Sequence, residues 1–284
     1  MKLTPPLRAA RLPVILLSLM FFVTSCDRTT FEIPSPEAFS KSDREKLGQV
    51  LFDAMRANNQ FQFLPETAPY DSTVYWYLQN LYDQATLPKR HDNQSPSGNR
   101  WNPDRKWKVR VILDDDLKTA FTLPGGDFFI TTGFLKLFKE DFELYYVLCF
   151  ESVLMNDRYL LTRLVEEYNS LTLVNLIQGN ATANQVSAGI ISADLVNLIF
   201  GSDVVREVDA RAVADVCETS VFEKQGIVPL LNTYHSGEVD WLRTRETYTS
   251  RATNIALIGS ENGQTCGSVR STGKYKKMVL EMLP

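Results

Sequence analysis

Residues 143–159, ELYYVLCFESVLMNDRY, decide how the rest of the chain is read. Leu144, Val147, Leu148, Val153 and Leu154 recur at helical spacing, so the stretch is expected to be a helix at the centre of the fold. Glu151 sits near its middle among apolar neighbours. A charge on a buried face is costly unless it is paired or used, which makes Glu151 the first residue to explain.

On the N-terminal side, residues 107–113 (WKVRVIL) alternate as a strand. Residues 120–132 (AFTLPGGDFFITT) place Pro124, Gly125 and Gly126 between two β-prone runs and read as a hairpin. A short helix is expected over 133–138. Further upstream, Ser42, Asp43, Arg44 and Glu45 read as a capping box opening a helix to about Asn58. Residues 58–71 are irregular. Residues 73–84 form a second helix, whose Tyr75, Trp76, Tyr77 and Tyr82 read as core packing, and 88–106 is a polar exposed loop. On the C-terminal side, helix is expected over 165–177, 190–200 and 203–222, with a polar break at 179–185. A Gly-, Ser- and Thr-rich tail over 259–273 then leads to a closing element at 275–283.

The 284 residues are 44% apolar and 23% charged, ordinary for a globular chain. The net charge of −4, with no basic block, argues against nucleic acid as a partner. Lys2, Arg8 and Arg11 precede an apolar run at 14–23, which ends in Val23-Thr24-Ser25-Cys26. The run is too short to span a membrane and reads as a signal segment. The four last residues resemble a bacterial lipobox, which implies cleavage before Cys26 and lipid attachment to it; a plain secretory signal is the simpler alternative. Losing three positive charges with the signal takes the net charge to −7. The expected domains are 1–25 signal peptide, 26–40 linker and 41–284 one domain. The expected location is the exported side of a bacterial envelope membrane.

Export permits disulfides. Three cysteines remain after Cys26, so at least one lies outside any bridge within the chain. Cys149 and Cys217 fall on expected helices and read as buried small residues, and a Cys217–Cys266 bridge is left open.

The run E-L-Y-Y-V-L-C-F-E-S-V-L resembles E-L-x-x-V-L-x-H-E-x-x-H, the zinc helix of the family-48 metallopeptidases (HtpX and CAAX-prenyl-protease type). In that motif the two His at i and i+4 bind zinc and the Glu activates water. Here Phe150 and Leu154 stand at the His positions and Glu151 at the general-base position. The series V-x-V-x-x-D, A-F-x-L-P-G-G, T-G-x-L-x-x-L and E-L-x-x-V-L over 108–151 extends the resemblance. Val205-Arg206-Glu207-Val208-Asp209 is similar to the E-x-x-A-D segment that gives the third ligand, with Val205 at the ligand position and Asp209 retained. Gly226-Ile227-Val228-Pro229 and residues 249–255 resemble later family segments, the latter without its His. The resemblance implies an α+β, mainly helical, metallopeptidase-like (zincin) domain with a small antiparallel hairpin sheet packed on the central helix.

It also implies lost catalysis. The chain holds only His91 and His235, which cannot form an i, i+4 pair and read as surface residues. No catalytic residue and no cofactor are expected, and Glu151 reads as a carboxylate paired with an Arg or a backbone donor. No G-x-S-x-G, P-loop or G-x-G-x-x-G is present. The hairpin residues Ala120, Phe121, Thr122, Leu123, Pro124, Gly125 and Gly126 would offer an open edge to extended polypeptide. The expected function is therefore a membrane-tethered lipoprotein, inactive as a peptidase, binding unfolded polypeptide or an envelope partner in the old substrate groove. An active metalloendopeptidase with non-standard zinc ligands and a purely structural lipoprotein are the alternatives.

Overall fold

The computed structural model describes residues 35–86, 107–179, 182–218, 221–224, 226–234, 238–241, 243–261 and 266–284. The signal segment, Cys26, the whole 88–106 loop with His91, and His235 lie outside the described residues.

The central helix, α4 (Asp141–Asn156), is buried from Asp141 through Met155. A helix apolar on every side has no solvent face, and this one is the axis of the core. Glu143 accepts from the backbone N–H groups of Lys139 (2.7 Å) and Glu140 (3.1 Å), which satisfies donors at its start. Burial pushes the Glu143 carboxyl above its ordinary pKa, against those two backbone donors. Arg158, in the left-handed region at φ 67°, turns the chain away after the helix.

Three strands form a sheet, β1 (Val109–Ile112), β2 (Ala120–Thr122) and β3 (Phe128–Thr131), of which β2 packs on α4. The order is β1-β3-β2, with β2 antiparallel to β3 and β1 parallel to it. The fold is thus α+β and mainly helical, but the sheet is mixed where an antiparallel one was expected. The hairpin forms as read, with Ala120 opposite Ile130. Placing β3 between its partners buries all four of its residues, Phe128 to Thr131, and that burial explains its central position.

Both edges of this sheet receive hydrogen bonds from elsewhere in the chain, where the hairpin edge was expected to be open. On β1, Leu64 N–H donates to Val111 O at 2.9 Å, Leu113 N–H to Gln62 O at 2.7 Å, and Val109 N–H to the Gln79 side chain at 3.0 Å. On the other side, Arg243 Nη2 donates to Ala120 O at 2.6 Å. Residues 120–124 and Gly126 are buried, and Gly125 is half-buried. The turn itself is clamped: Tyr82 Oη donates to Gly126 O at 2.6 Å, and a Cβ on Gly48 would fall 1.9 Å from Pro124 O.

That glycine belongs to α1 (Lys41–Ala57). Its cap is Ser40, two residues before the expected Ser42 box: Asp43 N–H donates to Ser40 Oγ (3.1 Å) and Ser40 N–H to Asp43 Oδ2 (3.0 Å). A turn at Asp71–Tyr75 leads into α2 (Trp76–Thr86), where Tyr77 and Tyr82 join the core while Trp76 stays 49% exposed. After β3 come α3 (Thr132–Leu137) and α4. The expected single helix at 165–177 is two, α5 (Tyr159–Tyr168) and α6 (Ser170–Gln178). Asn169, at φ 59°, breaks the chain and caps α6 by accepting from Thr172 N–H at 3.0 Å. The expected polar break at 179–185 is shorter, because α7 (Thr182–Asp194) begins inside it. A 3-10 turn, Leu195–Asn197, ends that segment before α8 (Ser202–Glu218), α9 (Val228–Thr233) and α10 (Tyr248–Glu261). Cys217 and Cys266 form a disulfide from the end of α8 to the tail; Cys149 is buried in α4. No single described helix is long and apolar enough to cross a membrane.

Candidate functional site: a charge-balanced centre on α4

Glu151 is 1% exposed and fully engaged. Trp241 Nε1 donates to its Oε1 at 2.7 Å and Arg243 Nε to the same oxygen at 3.1 Å. Thr122 Oγ1, on β2, donates to Oε2 at 3.3 Å. Arg243 spends its other donors on backbone carbonyls: Nη1 on Leu195 (3.0 Å) and Leu198 (3.3 Å), Nη2 on Ala120 (2.6 Å). One guanidinium thus ties α4, β2 and the turn after α7 together. Its rigid fork of donors makes this feasible where a lysine could not.

Asp209 lies on the buried face of α8 with Val205, Val208, Ala212 and Val213. Arg251, from α10, donates to it twice, Nη2 to Oδ1 at 2.9 Å and Nε to Oδ2 at 3.2 Å. Tyr146 Oη, one turn before Phe150 on α4, donates to Oδ1 at 2.7 Å. Burial and the neighbouring Asp209 push the Tyr146 phenol well above its ordinary range. For Arg251, burial alone would lower the pKa, but the Asp209 charge and hydrogen bonds outweigh it and hold the guanidinium above its usual value.

The cation of Arg251 also lies over rings. Its Cζ is 4.5 Å from the Phe150 centroid and 4.7 Å from that of Trp241, and those two rings meet edge-on at 5.1 Å. Two buried acids, Glu151 and Asp209, are therefore matched by two buried cations, Arg243 and Arg251, with aromatic faces closing the space between. Such pairs tolerate burial because the remaining lone pairs and protons are also satisfied.

The residues at the expected ligand positions do not fit zinc. Phe150, Leu154 and Val205 are all buried and carry no donor atom. The space beside Glu151, lined by Thr122, Leu154, Leu160, Leu195, Phe200 and Arg243, has no room for a water molecule. Glu207, the other acid of the α8 segment, is on the outside and pairs with Arg211. Among the described residues no group of three or more His, Cys, Asp or Glu is placed to hold a metal. Both Glu151 oxygens thus accept from indole, guanidinium or hydroxyl donors, and no water-sized space lies beside the carboxylate.

Sequence reasoning found Glu151 and Asp209 but not Trp241, Arg243 or Arg251. A signal for them existed: two acids on apolar helix faces require two cations from elsewhere in the chain. No family model matches the chain, and no curated protein matches it in sequence.

Proposed function

We propose that the chain is a lipid-anchored protein of the bacterial envelope whose metallopeptidase-like, zincin-type domain no longer catalyses and serves as a rigid structural or adaptor module. The carrying observation is that the Glu151 carboxylate is consumed by Trp241, Arg243 and Thr122. Three further features support the reading. The hairpin strand β2 packs on α4, α8 brings Asp209 to the same helix, and the positions matching ligands are filled by apolar side chains. In this reading the positive charge that a metal would bring is replaced by Arg251 and Arg243, and the old active-site helix has become the most buried part of the core.

Polypeptide binding by strand addition to the hairpin is the less favoured mode. It would require displacing Arg243 from Ala120 and so breaking the pairing of Glu151. Partner contacts are assigned instead to the outer surface, with Cys26 as the anchor.

The test combines three measurements on purified mature protein: metal content, cleavage of unfolded protein, and the stability of Glu151→Gln. The proposal expects no stoichiometric zinc, no cleavage, and a large loss of stability in the variant. Cleavage of unfolded protein that disappears in a folded Glu151→Gln would overturn it. Release of Cys26→Ser from membranes, or accumulation of its precursor, tests the anchor.

A further inference from the structure

Residues 168–202 carry one formal charge, Asp194, in a chain that is 23% charged. At that composition about eight would be expected. Asp194 itself accepts a hydrogen bond from Tyr168 Oη at 2.5 Å. The stretch builds α6, α7 and the 3-10 turn that follows. It also holds four of the eight large apolar side chains that the described residues expose: Leu171 (43%), Val186 (62%), Ile190 (54%) and Ile199 (42%). Val186 and Ile190 are four apart on α7 and share one face with the exposed Ala193, while Ala188, Ile191 and Leu195 face inward. Val186 and Ile190, a turn apart on one uncharged helix face, are the part of this segment suited to a contact.

The occupant follows from the tether. Nine residue steps separate Cys26 from Ser35, a reach of at most about 30 Å. A domain of this length has a diameter of about 45 Å, so a lipid on Cys26 would keep part of its surface within about 30 Å of the bilayer. The described chain enters at the turn Pro36–Ala38, which packs on α5, and Arg158 Nη1 donates to Pro36 O at 3.1 Å. α5 in turn packs on α6, and α6 on α7. The entry point and the uncharged surface thus belong to one run of adjoining helices.

We propose that the surface formed by α6 and α7 rests on the lipid bilayer, with Val186 and Ile190 dipping into the acyl boundary and the Arg163, Glu166 and Glu167 charges of α5 at its margin. The inference rests on the lipid anchor of the proposed function. Because the surface carries almost no charge, the contact is apolar and indifferent to anionic lipid and to salt.

The test uses the lipidated full-length mature protein in vesicles of phosphatidylethanolamine and phosphatidylglycerol. Nitroxides are attached to Val186→Cys, Ile190→Cys and, as a control on the exposed closing turn, Lys277→Cys. Mass spectrometry of the N-terminus reads the lipid separately. The proposal expects labels at 186 and 190 to show a several-fold higher ratio of oxygen to nickel-chelate accessibility than the label at 277. That ratio should not change with phosphatidylglycerol fraction or salt. Lipid present with all three labels equally open to nickel overturns the contact and leaves the anchor standing. Labels shielded from both reagents mean protein covers the face, which also overturns it. An absence of lipid at Cys26 overturns the anchor, and the contact that rests on it falls too.

Discussion

The guanidinium carbon of Arg251 lies 4.5 Å from the centre of the Phe150 ring, while its Nη2 donates to Asp209 at 2.9 Å. A cation held between an acid and an aromatic face, fully buried, is stable only while all its partners remain. Arg251→Met should leave Asp209 as an unpaired buried charge and cost about 3–5 kcal/mol, and Asp209→Asn should cost a similar amount. The double change Asp209→Asn/Arg251→Met should cost clearly less than the two singles added together. Urea unfolding of the four proteins checks this, and strict additivity would show that the two residues do not act as a pair.

Arg243 offers a sharper contrast, because its charge can be kept while its fork is lost. Arg243→Lys retains a cation near Glu151 but cannot also reach Leu195, Leu198 and Ala120. The expected loss is about 2–4 kcal/mol, from unsatisfied buried carbonyls. Amide exchange should rise in β2 before it rises in α1. A variant as stable as the parent would mean the carbonyl contacts contribute nothing.

The Cys217–Cys266 bridge closes a loop with a sequence separation of 49. Loop-closure entropy assigns such a link about 4 kcal/mol as an upper value. Reduction should therefore lower the urea midpoint without exposing Cys149 to alkylation under native conditions, since that residue sits in α4. Rapid native alkylation of Cys149 after reduction would show that the bridge holds the core shut.

Alkaline pH gives a prediction with a definite sign. Burial pushes Tyr75 from 10.0 up to about 12, and pushes Tyr146 and Tyr275 well above the ordinary phenol value. A phenol whose pKa is raised by folding contributes stability that is complete below pH 10. That contribution is lost as pH climbs through the folded value. Ionisation of these three phenols should thus be absent near pH 10 and appear only at higher pH, together with loss of the fold. One smooth titration of all tyrosines near pH 10, with the fold intact, would contradict these environments.

Much of the fold was legible because it is local. The apolar content of residues 143–159 announced a buried helix, and Pro124-Gly125-Gly126 between β-prone runs announced the β2–β3 hairpin. Asn169 and the α7 start were not legible: a polar stretch such as Thr182-Ala183-Asn184-Gln185 has no period of its own and is helical through its neighbours. The parallel pairing of β1 with β3 depends on chain crossing, and the covered sheet edges on residues far away. The site followed the same division. Glu151 stood out from its apolar neighbours, but its partners Trp241 and Arg243 come from 90 and 92 residues downstream. Arg243 adds a left-handed backbone, φ 59°, which no local pattern signals.

The central claim is that α4 carries a charge-balanced structural centre where the resembling enzymes carry zinc. Metal content of the purified mature protein, incubated with excess zinc and then desalted, tests it most directly. It should be run beside Phe150→His/Leu154→His/Val205→Glu. The account predicts no stoichiometric zinc in the parent, and zinc retention with a higher melting temperature in the metal-loaded triple variant than in its apo form. Stoichiometric zinc in the parent protein, lost on Glu151→Gln or Asp209→Asn, would contradict it.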